Sequence, residues 1–303
     1  MTETPAPDVT EAVSALMPDL RSRGLIACGW IAAAILVSGV LVVLILNGQM
    51  ESRDRWKLAL LAAGAGVFAV VMAWKWVIRA QERLVMPILA RSIGLGYTKD
   101  ATAFVKALPK RLLPTGLRGG EDHIHGTLGS HAIQMAEVTV ETGGKNSKTL
   151  FKGIVAQFPN RTAMPAFFIA REDKTRPGIF FGGDLSTDGL HPLRNVVAGG
   201  RTYGIWTSST EGAEPPALSA VVDILTGLEN HVGSGAQLYA ATSNGVEMHI
   251  ALSHSRNLFS LGGLFPDRGR LLTEVQQAMQ DLLIPVTLAK ALIEAEETAA
   301  AKS

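Results

Sequence analysis

The chain has 303 residues, and its 28 Lys and Arg against 27 Asp and Glu give a formal net charge of +1. This balance argues against a protein that binds nucleic acid by bulk electrostatics, because such proteins carry a marked basic excess. The low aromatic content of 6% also argues against a base-stacking surface, so we expect no nucleic-acid partner. The single cysteine, Cys28, excludes a disulfide within the chain and fits a reducing compartment.

Residues 1–24 are mixed in composition and precede the first long apolar run. We expect them to form a mobile N-terminal tail with a short amphipathic turn, since chain ends are usually poorly ordered. The apolar run that follows is too long for a secretory signal peptide and is not followed by a small-residue cleavage site. It therefore reads as an uncleaved membrane span.

Residues 25–78 contain two long apolar runs joined by a charged loop. Leu25–Leu46 has no charged residue, and Leu58–Ile78 has one, Lys75. As helices the runs measure about 30–33 Å, which matches the roughly 30 Å hydrocarbon core of a bilayer. The alternative is a helical hairpin buried in a soluble core. We predict a two-helix transmembrane hairpin, with the lipid bilayer as its partner.

Basic residues and small residues give this hairpin an orientation and a packing. The outer ends carry more Lys and Arg than the loop does, so both termini are expected in the cytoplasm. The small residues Gly29, Ala33, Ala62 and Gly66 would allow the two helices to approach closely. The basic residues are Arg21, Arg23, Lys75, Arg79, Arg83 and Arg91 at the outer ends, and Arg53, Arg55 and Lys57 in the loop.

Residues 79–120 are predicted to form a juxtamembrane helix and a linker. Ala80–Leu95 continues the helical pattern, kinked or restarted at Pro87. Its basic residues could touch anionic lipid, or form a solvated helix face. Lys106–Gly120 is rich in Pro and Gly and reads as the connection.

Residues 121–298 change to an alternating pattern and are predicted to form an α+β soluble domain with a mostly antiparallel sheet. Neighbouring strands separated by short turns form antiparallel hairpins, and Asn244-Gly245 is the strongest such turn signal. Thr175–Gly200 reads as loop, with one short strand at residues 179–181. The predicted strands are His123–Leu128, Ala132–Glu141, Thr149–Phe158, Ala166–Arg171, Tyr203–Thr207, Gln237–Thr242 and Val246–Leu252, and the helices are Pro215–His231 and residues 267–295, bent at Pro285.

His123 and His125 are weak candidates for a metal site, since alternate strand residues place both imidazoles on one face. Glu121 or His131 could add a ligand, but polar positions on a solvent-facing strand explain the pattern as well. Adjacent Glu121 and Asp122 should point to opposite faces and accept backbone hydrogen bonds. We assign no catalytic residue and no cofactor. The loop at residues 143–149 hints at a phosphate loop but lacks its glycine spacing, so we predict a hairpin turn.

Several short motifs, in their order along residues 20–290, resemble the bacterial membrane-protein family catalogued as domain of unknown function 3137. This resemblance implies a two-span protein of the bacterial inner membrane, and it implies no activity, cofactor or catalytic residue. His123 and His125 depart from the family's pattern, in which more apolar residues are expected. The motifs are Leu95-Gly96-Tyr97, residues 120–126, Phe151-Lys152-Gly153-Ile154, Tyr203-Gly204-Ile205-Trp206 and Asn257-Leu258-Phe259.

The sequence thus favours a multi-pass membrane protein whose cytoplasmic α+β domain is a non-enzymatic interaction or regulatory module. Its expected partners are another protein or a second copy of the chain. The alternative is a membrane-anchored, metal-dependent hydrolase that uses His123 and His125. Transport through the spans is disfavoured, because two helices without internal polar residues enclose no pore unless many copies assemble.

Overall fold

The computed structural model of the chain describes residues 9–47, 52–160, 164–172, 188–210, 214–228, 236–254, 259, 261 and 267–300. The chain divides into two compact units. We call them the helical unit, Met1–Ser92 with Phe259–Ala278, and the sheet unit, Ile93–Leu258 with Met279–Ser303. The short strand expected at residues 179–181 lies outside the described residues.

The helical unit is built on two long helices. Helix α1 covers Val9–Ala15, α2 covers Met17–Asn47 and α3 covers Ser52–Ser92. The expected tail is therefore helical over most of its described part, because α2 begins eight residues before the apolar run. Of the two alternatives at Pro87, a kink or a restart, the restart is wrong, since α3 continues through this proline without interruption.

Helices α2 and α3 form a hairpin with one very close contact. The hydroxyl of Ser38 donates a hydrogen bond of 3.1 Å to the carbonyl oxygen of Ala62. A Cβ added to Gly66 would meet Ser38 Oγ and lie 2.8 Å from Ser38 Cβ, so any larger residue would force Ser38 or its helix to shift. The predicted role of Gly66 in packing is confirmed by this geometry. Gly29 has open space where its Cβ would be, so it makes no such contact.

The sheet unit contains nine described strands in one antiparallel sheet. Their spatial order is β1-β2-β3-β4-β9-β8-β5-β7-β6, and each neighbouring pair is antiparallel. The predicted α+β class with an antiparallel sheet is confirmed. The strands are β1 Leu95–Asp100, β2 Leu117–Leu128, β3 His131–Glu141, β4 Thr149–Pro159, β5 Phe167–Arg171, β6 His191–Ala198, β7 Arg201–Thr207, β8 Ala236–Ser243 and β9 Glu247–His254.

Both faces of the central strands are buried, as alternate residues show. On β5, Phe168 and Ala170 belong to one cluster, whereas Phe167 and Ile169 point to the other face, and all four are fully buried. The first cluster is covered by α4 (Thr102–Ala107) and a 3₁₀ helix at Lys110–Leu112. Burial on both faces excludes water from the middle of this sheet.

The structured region begins earlier than the expected boundary at residue 121. Strand β1 and helix α4 lie within residues 79–120, which were expected to be juxtamembrane helix and linker. Strand β6 lies in a segment expected to be loop. Both missed strands are at the ends of the sheet, where one neighbour suffices and the apolar alternation is weaker.

Two helices of the C-terminal half, one between β7 and β8 and one after β9, lie close to their predicted positions. Helix α5 covers Pro216–Thr226 and buries the apolar face that begins at Leu218. Helix α6 covers Arg268–Ala300 and contains Pro285. The carboxylate of Asp267 accepts hydrogen bonds from the backbone of Gly269 and Arg270 at 3.0 and 3.3 Å, so it caps α6 as expected.

Candidate functional site

Most of the exposed large apolar side chains among the described residues lie on the two long helices of the helical unit. Leu36 is 67% exposed on α2, and Leu61 and Phe68 are 69% and 66% exposed on α3. The most apolar stretches of the two helices have mean hydropathies of 2.7 and 1.9, and only 0% and 6% of their residues are buried. By length and composition both helices can cross a membrane. Their exposure argues against the alternative of a hairpin buried in a soluble core.

An apolar groove of about 700 Å³ lies between α2 and α3. It extends from Ala27 to Val37 on α2 and from Ala69 to Trp76 on α3. Five of its nine lining residues are alanines, whose short side chains leave the space open. Trp30 also lines it, so aromatic rings border the groove from both helices.

A basic pocket of about 580 Å³ adjoins the groove at the end of the hairpin that carries both outer termini. It is lined by Arg23 of α2 and by Lys75, Arg79 and Arg83 of α3, and no carboxylate lines it. The three α3 side chains are spaced four residues apart, so they follow one stripe of that helix. Within the described residues, none of these four side chains has an ion pair or a hydrogen bond.

The groove and the pocket are adjacent. Met72 and Trp76 line both of them. One molecule with an apolar chain and an anionic head could therefore occupy both spaces. The sequence indicated the basic residues and the apolar helices separately, but the open space depends on how the helices pack.

In the sheet unit, a buried carboxylate is held by side chains of the neighbouring strand. Asp122 is 3% exposed and has a left-handed backbone with φ of 57°. Its carboxylate accepts hydrogen bonds from Tyr97 Oη at 2.6 Å and from Lys99 Nζ at 3.1 and 3.2 Å. Lys99 also forms an ion pair with Glu121 at 2.9 Å. The expected backbone hydrogen bonds are thus replaced at Asp122 by bonds from side chains.

A β-bulge explains why two adjacent carboxylates reach the same ammonium group. The register of β2 against β3 shifts between Glu121 and Ile124. In a regular strand, Glu121 and Asp122 would point to opposite faces. The bulge and the left-handed Asp122 re-aim one of them, so that Lys99 contacts both. Sequence spacing alone could not indicate this, because Lys99 is more than twenty residues away.

The two candidate metal ligands lie together, as predicted. The rings of His123 and His125 have centroids 5.1 Å apart. His123 also stacks on Phe104 at 5.2 Å and shares a hydrogen bond of 3.1 Å with the Gln134 amide oxygen. Burial lowers the pKa of His123, which favours the neutral form of the imidazole. In the part of the chain that the structure describes, no group of three or more His, Cys, Asp or Glu could hold a metal ion.

A second histidine with a lowered pKa lies on β9. His249 is 6% exposed, and burial lowers its pKa, with a further contribution from the positive charge of Arg111. Arg111 donates a hydrogen bond to Thr242 at 2.9 Å and pairs with Asp188 at 3.1 Å. These contacts tie the 3₁₀ helix to the sheet, which is a structural role.

Comparison of the chain with family models, with curated proteins and with solved structures finds no match.

Proposed function

We propose that this chain is an integral membrane protein whose two-span hairpin anchors the sheet unit to a bilayer. The observation that carries the proposal is the exposure of the apolar side chains of α2 and α3. In the most apolar stretch of each helix, only 0% and 6% of the residues, respectively, are buried. An apolar surface of this extent is stable against lipid and unstable against water. Helices are also suited to lipid, because their backbone groups are hydrogen-bonded internally.

The proposed membrane is the bacterial inner membrane, with both termini in the cytoplasm. The orientation is supported by the excess of Lys and Arg at the outer ends of the hairpin. The bacterial source and membership of the family of unknown function 3137 are supported by the motif order described above. A topology reporter fused after Ser303 tests the orientation: activity of a cytoplasmic reporter supports it, and activity of a periplasmic reporter overturns it.

The proposed role of the sheet unit is that of a non-enzymatic interaction or regulatory module. In support, polar side chains that could take part in catalysis are hydrogen-bonded to one another. Asp122 accepts hydrogen bonds from Tyr97 and Lys99, and His123 shares one with Gln134. The proposed partner is another protein or a second copy of the chain. Crosslinking in native membranes should then yield a discrete larger species, and recovery of the monomer alone would overturn this part of the proposal.

The anchor is tested by washing membranes that contain the full chain with alkaline carbonate. We expect the chain to stay in the membrane pellet until detergent is added. Leu36→Arg with Phe68→Arg should release a large fraction, since each arginine near the bilayer centre costs about 2.5–3.5 kcal/mol. Val197→Arg is the matched control, because Val197 is 74% exposed but belongs to the sheet unit. Release of the unsubstituted chain by carbonate would overturn the anchor.

A further inference from the structure

The apolar groove and the basic pocket of the helical unit share Met72 and Trp76 as lining residues. We propose that together they bind one anionic phospholipid, with an acyl chain in the groove and the phosphate in the pocket. This inference rests on the proposed function, because it requires the hairpin to lie in a bilayer. It adds a ligand and a site to that function.

The length of the groove matches one leaflet. Ala27 and Val37 are ten residues apart on α2, which corresponds to about 15 Å of helix. The hydrocarbon core is about 30 Å thick, so one leaflet occupies about half of it. Arg23 lies one helical turn before Ala27, which places its guanidinium toward the headgroup level of that leaflet. An acyl chain entering from that side would therefore fill the groove from the pocket inward.

The charge of the pocket selects an anion. Lys75, Arg79 and Arg83 span about 12 Å of α3, and Arg23 faces them from α2. No carboxylate lines the pocket, and no described residue neutralises these cations. Arginine binds phosphate oxygens with paired N–H donors, which suits a lipid phosphate. A choline headgroup would bring a further cation to the same place, whereas a glycerol headgroup would not.

The site is tested by reconstituting the full chain into phosphatidylcholine vesicles that contain a minor fraction of one brominated lipid. Brominated acyl chains quench tryptophan on contact, and Trp30 and Trp76 line the groove. The signal of these two residues is isolated by subtracting the quenching in Trp30→Phe with Trp76→Phe. We expect brominated phosphatidylglycerol to quench them more strongly than brominated phosphatidylcholine does.

Charge variants separate a specific site from a generally basic surface. Arg79→Gln and Arg83→Gln should each lower the preference for phosphatidylglycerol about fivefold. Arg91→Gln is the matched control, because it removes the same charge from the same helix, is exposed and does not line the pocket. Ala73→Leu fills the groove without changing charge, so it should reduce quenching by both lipids.

The outcomes distinguish the lipid site from the anchor. Equal quenching by both brominated lipids in the unsubstituted chain would overturn the lipid site and leave the anchor intact. An unchanged preference in Arg79→Gln with Arg83→Gln would also overturn the site. A chain that stays in the supernatant and is quenched by neither lipid would overturn the anchor and the site together. A membrane-bound chain whose Trp30 and Trp76 are quenched by neither lipid would show that lipid does not enter the groove, which again overturns the site.

Discussion

Replacing Asp122 by alanine should destabilise the sheet unit by about 3 kcal/mol. The side chain of Asp122 is 5% exposed, and its loss leaves the Lys99 ammonium and the Tyr97 hydroxyl without this acceptor. Removing one partner of a fully buried ion pair costs about 3–5 kcal/mol. The lower end applies here, because Lys99 is 19% exposed and keeps its ion pair with Glu121. Alanine is also disfavoured at the left-handed φ of 57°.

The assay is urea unfolding of the full chain in mild detergent, followed by the β-sheet signal in circular dichroism. Asp122→Asn is the informative companion, because asparagine tolerates the left-handed backbone and retains one acceptor oxygen. The expected order of stability is wild type, then Asp122→Asn, then Asp122→Ala. In a double-mutant cycle with Lys99→Met, the coupling energy should be about 1 kcal/mol or more. A loss below about 0.5 kcal/mol in Asp122→Ala would refute the structural role of this network.

Three further predictions follow from the same structure. Gly66→Ala should destabilise the hairpin in detergent, which is measured by the loss of helical signal on heating. Gly64→Ala is the control and should have no such effect, because a Cβ at Gly64 would meet open space. Equal effects of the two substitutions would contradict the close contact at Gly66. Because the pKa of His249 is lowered on folding, stability should be full above about pH 6.5 and fall as the pH drops below it. His249→Gln should reduce this loss of stability at low pH, and His191→Gln, at an exposed position, is the control that should not. A pH profile of stability that is unchanged in both variants would refute the attribution of the loss to His249. Metal analysis of the purified chain should find no stoichiometric metal, and a metal that is lost in His125→Ala would instead support the hydrolase alternative.

The sequence was sufficient where one physical pattern dominates a whole segment. Two apolar helices were predictable because each run is long and nearly uncharged. Strand β3 and the second half of β2 were predictable because apolar and polar residues alternate along them, and β4 was predictable as a run of apolar residues between turn signals. The orientation in a membrane, the partner and the family resemblance stay predictions, since nothing in the fold measures them.

The remaining features depend on contacts between distant parts of the chain. Strand β1 has few apolar residues and is defined by its pairing with β2, so its own pattern is weak. The bulge at Asp122 is stabilised by Tyr97 and Lys99, which no local spacing connects to it. The groove is a property of the space between two helices, and composition reports only that its walls are apolar.

The central claim is that lipid covers the exposed apolar surface of the hairpin, and cysteine accessibility tests it most directly. In a Cys28→Ser background, Leu36→Cys places a thiol at a position that is 67% exposed in the protein, and Lys145→Cys places one at an exposed turn of the sheet unit. In membranes open on both sides, a water-soluble maleimide should label Lys145→Cys and should label Leu36→Cys only after a denaturing detergent is added. Equal labelling of both thiols in the intact membrane would show that water, not lipid, contacts α2.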